Sequence, residues 1–446
     1  MITAEETALT RQCLEWAREA GAQKSRMTLS KSVSDLVDTL DGGIDKVTHC
    51  FDCSMGINLF VDGRFGIFSA NRLSPEYLRQ FIFKAVDTVR MLTADRFRDL
   101  PDPSRTEKGA AAGTELGLWD SGYADVTPQQ RISMALDFAV AGKLGECTGY
   151  ELISEEGEYS DSEYDTLIMD SNGLECRHLE TSFEYGVEVT VQDAAGDRFS
   201  GYWWDAAPML RDLHAEGCGL KAVRDAAARI GQAPQQSGKY NMVVDTEFAG
   251  RMIKPVIRAL NAYALQQNDS FLGGSLGRKI FSEGLTLRDS CRAAGQTGSR
   301  LFDSEGVATR EHEVISKGVV NEYFVNTYMS GKMGTAPTVE DITRAQLMPW
   351  PKPGLGRDDI LKMCGEGILV TGFNGGNSSP STGDFSFGVE GFAFKDGRIT
   401  HPVSEMLITG NMVELWNSLL AVGDDARACM SKLIPTLAFA NVDFSG

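Results

Sequence analysis

Three stretches of this sequence hold residues of the types that chemistry needs. "HCFDC", His49 to Cys53, carries a Cys-x-x-C; "GFNGGNSSPSTGDFSFGVEGF", 372 to 392, is dense in glycine and serine; "REHEV" sets His312 between two glutamates. Each chemistry demands its own geometry. A Cys-x-x-C holds an ion or closes a disulfide when both sulfurs share a side, but "DKVTHCFDCSMGINLFV" reads as strand, where i and i+3 face opposite ways. Cys50 and Cys53 are therefore expected to stay unbonded. A phosphate cradle needs a strand, a glycine loop and then a helix N-terminus. "GILVTGF" supplies the strand, but "GDFSFGVEGFAF" after it alternates like another strand. "GGSLGRK", 273 to 279, has Arg278 where a phosphate loop needs lysine. The glycines are expected to make tight turns between strands. No nucleophile triad is expected. His49, His178, His214, His312 and His401 all stand more than four residues apart, so no helix carries an H-x-x-x-H metal pair. His312 is placed on a charged, exposed strand.

The scaffold around these residues is legible from periodicity and turn signals. The chain has 446 residues, 42% of them hydrophobic, enough for two or three domains. Leu9, Cys13, Trp16 and Ala17 recur at helical spacing over residues 4 to 20. Strands are expected from about 24 to 69, with a hairpin turning at Asp62-Gly63. A helix follows Ser74 as N-cap with Pro75 at its first position, and residues 97 to 125 suit a long connection. Another helix starts after Thr127 in "TPQQRISMALDFAVAGKL". The next segment echoes the first: Gly43 and Gly56 precede Gly173 and Gly186 by 130 residues. Two similar sheet-plus-helix units, about 1–95 and 126–230, are the reading, with a duplication as the hypothesis. "GQAPQQSGK", 231 to 239, marks a boundary. Beyond it, 240–446 reads as a mostly β domain with one main helix near 246 to 266, and the fold class is α+β. Phe248, Met252, Val256 and Leu260 form that helix's apolar stripe; Pro255 either kinks it or opens it.

Composition excludes some partners. Sixty-two acidic residues against 43 basic give a formal charge of -19, and basic residues do not cluster, so direct nucleic-acid binding is not expected. No apolar run approaches the ~20 residues of a membrane span, and the N-terminus lacks a secretory signal's apolar stretch. A cytoplasmic location is the expectation. The nine scattered cysteines read as reduced thiols.

Assembled in order, "SFLGGSLGRKIFSEGLTLRDS", "FDSEGVATREHEVISKGVVNEYFVNTYMSG", "NGGNSSPSTGDFSFGVEGFAFKDGRITHPVSEMLITGN" and "IPTLAFANVDFSG" resemble the TldD/PmbA family, specifically over 240 to 446. The branch it looks like is PmbA (TldE), labelled a modulator of DNA gyrase. The resemblance implies a two-chain peptidase whose TldD subunit carries H-E-x-x-x-H on a helix plus a cysteine near the C-terminus, all binding zinc or activating water. In this sequence the motif falls on "GRMIKPVIRA", with Lys254, Pro255 and Ala259 at the three functional positions. Cys429 in "RACMSK" lacks the family's C-G-K-x-G-Q context. The resemblance thus implies a chain without catalytic residues or cofactor. It would pair with a TldD-type sister subunit, or with itself when isolated, and act on extended peptides. Maturation of ribosomally made peptides and degradation of antitoxins are the implied roles. Asn374, Gly375, Gly376, Gly383, Asp384 and Phe385 become a fold or interface signature. Two other readings stand beside this one: an autonomous peptidase around Cys364, His312 or His401, and a gyrase-binding regulator.

Overall fold

The computed structural model describes residues 1–139 and 149–446. The continuation of the helix after Thr127 beyond residue 139, and Cys147, lie outside the described residues. Helix α1 (Ala4–Glu19) starts on a capping box, Thr3 and Glu6 bonding each other's backbone. It precedes β1 (Lys24–Leu40), β2 (Gly43–Val61), β3 (Arg64–Ala70) and α2 (Pro75–Val89). The β2–β3 turn has φ 52° at Asp62 and 70° at Gly63, the paired positive angles of a type I′ hairpin. The same order then repeats: α3 (Pro128–Phe138), β4 (Tyr150–Asp170), β5 (Glu175–Asp193), β6 (Arg198–Ala207) and α4 (Cys218–Ala228).

The two units share one antiparallel sheet, ordered β3-β2-β1-β4-β5-β6. Alternation puts Met27, Leu29, Met55, Ile57 and Leu59 beneath α1 and α2, and Tyr159, Phe183, Val187 and Val189 beneath α3 and α4. Where α3 meets β1 and β4, Arg131 is buried with Asp161 at 2.6 Å and Asp35 at 3.4 Å, and the Tyr159 hydroxyl donates to Asp161 at 2.9 Å.

After 231–237, largely exposed, the chain enters β7 (Gly238–Val244), α5 (Thr246–Ala259) and α6 (Ala262–Gln266). The single helix expected over 246 to 266 is thus two: Asn261 caps the second, its side chain accepting from Tyr263 N–H. Then come β8 (Leu287–Asp289), β9 (His312–Ser316), β10 (Val319–Val320), α7 (Thr327–Met333), β11 (Ala345–Leu347) and α8 (Arg357–Cys364). The chain ends with β12 (Glu366–Phe373), β13 (Asn377–Ser378), β14 (Asp384–Lys395), β15 (Arg398–Asn411), α9 (Met412–Asn417), β16 (Leu419–Val422) and β17 (Leu437–Ser445). The fold is α+β. The region was expected to carry one main helix, and α7 is a further one; Asn326 caps it and Gly334, at φ 65°, ends it.

One ring of pairings organises this half. β12 lies parallel to β7 and antiparallel to β14, while β7, β17, β15 and β14 pair in sequence, so five strands close on themselves. Closure gives each of those strands a partner on both sides, though β15 meets β17 only from Leu407 to Thr409. Met242 and Val244 face the main core with α5, Trp416 and Phe439, while Val243 between them faces Ile360 and Leu361 of α8.

Candidate functional site

Any metal site of the implied kind must be built on α5. Its apolar stripe packs as the spacing predicts: Met252, Val256 and Leu260 are fully buried and Phe248 packs against them. Pro255 stands inside the helix, which opens at Asp245, so the proline does not start it. Lys254 is exposed and Ala259 is buried. Five residues apart, the two positions lie about 140° apart around the axis. None of Lys254, Pro255 and Ala259 offers a carboxylate or a neutral ring nitrogen. Among the described residues no three His, Cys, Asp or Glu are grouped to hold a metal ion. These residues do not fit a zinc site.

The carboxylate at the start of the helix is already committed. Glu247 accepts from Arg427 at 2.6 Å and from the Trp204 indole at 3.1 Å. Arg427 in turn sits 4.5 Å and 4.8 Å from the Trp203 and Trp204 rings and 3.4 Å from Asp205. Glu247 therefore fastens α5 to β6 and is not a free base.

The glycine-rich signature meets the same helix. Arg251 of α5 donates to the Gly376 carbonyl at 2.8 Å and lies 4.9 Å from the Phe387 ring centre. Gly375 and Gly376 have φ of 97° and 85°, and a Cβ at Gly376 would stand 2.1 Å from the Ser386 carbonyl oxygen. A side chain there would push β13 off β14. Asn374 holds the loop's start, its N–H donating to Gly388 at 2.8 Å and its amide to Glu390 at 3.2 Å. Gly383 takes φ 80° against Phe271. Asp384 accepts from Asn411 and Thr382, which hold its carboxyl below the usual range. Phe385 is buried and stacks on Phe387 at 5.3 Å. The six residues shape a β-turn region docked on α5; β14, a strand, follows them where a phosphate cradle needs a helix.

The remaining candidates are scattered. His312 is not exposed: its side chain is 12% accessible, its Nε2 is 3.0 Å from Glu322, and its Nδ1 donates to the Arg310 carbonyl at 2.9 Å. Burial lowers its pKa, but the Glu322 bond outweighs that and raises it. His401 is exposed on β15, bonded to Gln235 at 3.0 Å and Thr400 at 3.1 Å. Cys364 ends α8, its thiol pushed up to about 11 by burial. Cys50 and Cys53 are free thiols on β2. The sequence also contains Gly273-Gly274-Ser275-Leu276-Gly277, the G-x-S-x-G spacing of a nucleophile elbow that motif reading missed. It joins turns, not strand to helix; Ser275 is 3% exposed, and its hydroxyl donates to the Leu272 carbonyl at 2.7 Å. It is a structural serine.

Two cavities flank Trp204 and Arg427. One, about 490 Å³, runs over the sheet face between Asp38, Glu156, Glu158, Glu184, Glu188 and Trp204. Desolvation, with Asp38 and Glu184 nearby, raises the Glu158 carboxyl. The other, about 590 Å³, opens between the end of β6 and the C-terminal half and is lined by Asp205, His214, Gln296, Arg427 and Cys429. Desolvation raises the Cys429 thiol, against the pull of Arg427.

A six-stranded sheet with helices packed on it, followed by a proline-bearing helix and a ring of strands, defines a strand-rich α+β class of protein. The chain has a TM-score of 0.94 to a Bacteroides thetaiotaomicron protein described as a candidate modulator of DNA gyrase, 39% identical, with 100% of both chains covered. TldE from Thermococcus kodakarensis shares the fold, at TM-score 0.80 and 19% identity over 98% of this chain and 100% of that one. Metalloprotease PmbA of Escherichia coli is 26% identical over 425 residues, 93% of this chain and 92% of that protein. Residues 122–230 match the PmbA/TldA metallopeptidase central domain, and residues 237–446 its C-terminal domain. This chain belongs to the PmbA/TldD family.

Proposed function

We propose that this chain is the non-catalytic partner of a TldD-type zinc metalloprotease subunit and helps to enclose extended peptides for cleavage. What supports the reading is α5, which carries Lys254, Pro255 and Ala259 at the positions the family resemblance assigns to two imidazoles and a carboxylate. Lys254 binds zinc only by giving up its proton, and proline and alanine side chains have no donor atoms. Relatives named as metalloproteases support a role in proteolysis, while the chain's own helix has nothing to activate water. The acidic cavity suits an extended peptide with basic side chains. Its Trp204 also bonds Glu247 of α5, so peptide contact there is one residue from the helix.

Mixing experiments test this. The purified chain should leave an unfolded peptide intact; adding a TldD-type subunit should give cleavage that a chelator stops and zinc restores. Cleavage by this chain alone, or equal cleavage by the sister subunit without it, overturns the proposal. The gyrase reading has one observation behind it, the charge of -19 with carboxylates gathered on one sheet face. Side-by-side capture with gyrase and with the sister subunit separates the two; retention of gyrase alone favours the regulator.

A further inference from the structure

Arg344 is a buried charge without a counter-charge. It is 1% exposed and stands just before β11, where its N–H donates to Asp289 Oδ1 at 2.8 Å. The guanidinium reaches the 296–297 turn instead. Its Nε donates to the Thr297 carbonyl at 2.9 Å and its Nη2 to the Gln296 amide oxygen at 3.1 Å. Both acceptors are neutral, and among the described residues Nη1 makes no bond. Burial lowers the pKa of Arg344, and no nearby charge offsets the loss of water. A guanidinium keeps its proton even so. Buried charges are normally met by an opposite charge, and here a neutral amide stands in that place.

That amide belongs to the wall of a cavity. Gln296 and Gly295 line the space of about 590 Å³ between the end of β6 and the C-terminal half. The arginines and aspartates in that wall are matched: Arg427 lies 3.4 Å from Asp205, and Arg211 lies 3.8 Å from Asp212. Arg344, one side chain behind the wall, is not. The Gln296 side chain makes a single bond among the described residues, the one to Arg344. Displacing it forfeits one hydrogen bond to a neutral acceptor.

We propose that this cavity takes a ligand carboxylate, which displaces the Gln296 amide and pairs with Arg344. A carboxylate supplies the missing negative charge, and its hydrogen bonds to a guanidinium are roughly twice as strong as those between neutral groups. Two sources share this chemistry: the free C-terminus of a peptide and a small organic acid. Binding here needs neither zinc nor a sister subunit. Its failure would leave the partner-subunit role untouched, and failure of that role would leave this site standing.

Calorimetric titration of the full chain, with circular dichroism to confirm folding, tests this. N-acetyl-trialanine with a free C-terminus should bind, and its C-terminal amide should bind at least about tenfold more weakly. Gln296→Glu sets a carboxylate on the guanidinium from within. That variant should fold, melt above the parent and bind the free-acid peptide about tenfold more weakly, because the site is already filled. Folded Arg344→Gln should bind acid and amide alike. Propionate as tight as the free-acid peptide assigns the site to small acids; propionate about tenfold weaker assigns it to peptide ends. Equal binding of acid and amide by the unmodified chain, heat from neither, or undiminished acid binding by folded Gln296→Glu overturns the proposal.

Discussion

Lys254 and Ala259 carry the functional argument at the level of single residues, and both were legible in the sequence because a motif position is read from one residue. Partnerships were not. His312 was expected in solvent, yet it is largely buried beside Glu322, ten residues on and folded back, which raises its pKa. Asp303 gave no signal at all. Its Oδ1 accepts the N–H groups of Glu305 and Val307, both at 2.9 Å, and its Oδ2 that of Glu340 at 3.1 Å. Burial, reinforced by the Glu340 charge, pushes its carboxyl from 3.8 up to about 7. A raised carboxyl holds its proton more tightly in the folded state, so its contribution to stability is full below about 4 and is lost as pH rises to about 7. His312, also raised, acts in the same direction above its ordinary value. Asp303→Asn removes the larger titration. The variant should melt below the parent at pH 5, and the gap should narrow by pH 8, as thermal unfolding across that range would register. A gap constant with pH would mean that Asp303 does not titrate there.

Among the elements, periodicity told most of the story. The first helix, the strands between about 24 and 69 and the Asp62-Gly63 turn are local signals, and they formed as the spacing predicts. The ring β12-β7-β17-β15-β14 was not legible, because β7 and β17 pair across some 190 intervening residues and no local pattern records that. Nor was α7, whose seven residues are too few for a helical period to stand out. The glycine signature was read as turns between strands, but its attachment to α5 through Arg251 came from the fold alone. That attachment has a measurable worth. Arg251→Ala removes the hydrogen bonds to the Gly375 and Gly376 carbonyls and the cation–π contacts with Phe373 and Phe387, about 1–2 kcal/mol together at this exposed site. Urea unfolding should report that loss, and amide exchange should quicken at residues 374–376 while β14 stays protected. Exchange unchanged in that loop would show that the glycines hold their turn without the arginine.

Across the whole molecule, arginines do much of the joining between halves. Arg292 bonds Glu107, Arg300 bonds Glu180 at 2.7 Å, Arg229 bonds Glu390, and Arg427 holds Glu247 and Asp205 together. The exposed 231–237 segment is therefore the connection we propose between parts that also grip each other elsewhere. Through that grip α5, whose Glu247 bonds Trp204 and Arg427, joins the acidic sheet face to the C-terminal half. With Lys254, Pro255 and Ala259 in place, nothing on that helix should bind a metal. Metal analysis of the purified chain, run beside its peptide-cleavage assay before and after chelation, decides the matter. Zinc far below one per chain is expected, with no cleavage in either sample. One tightly held zinc per chain, lost on chelation together with a peptidase activity, would contradict the non-catalytic role.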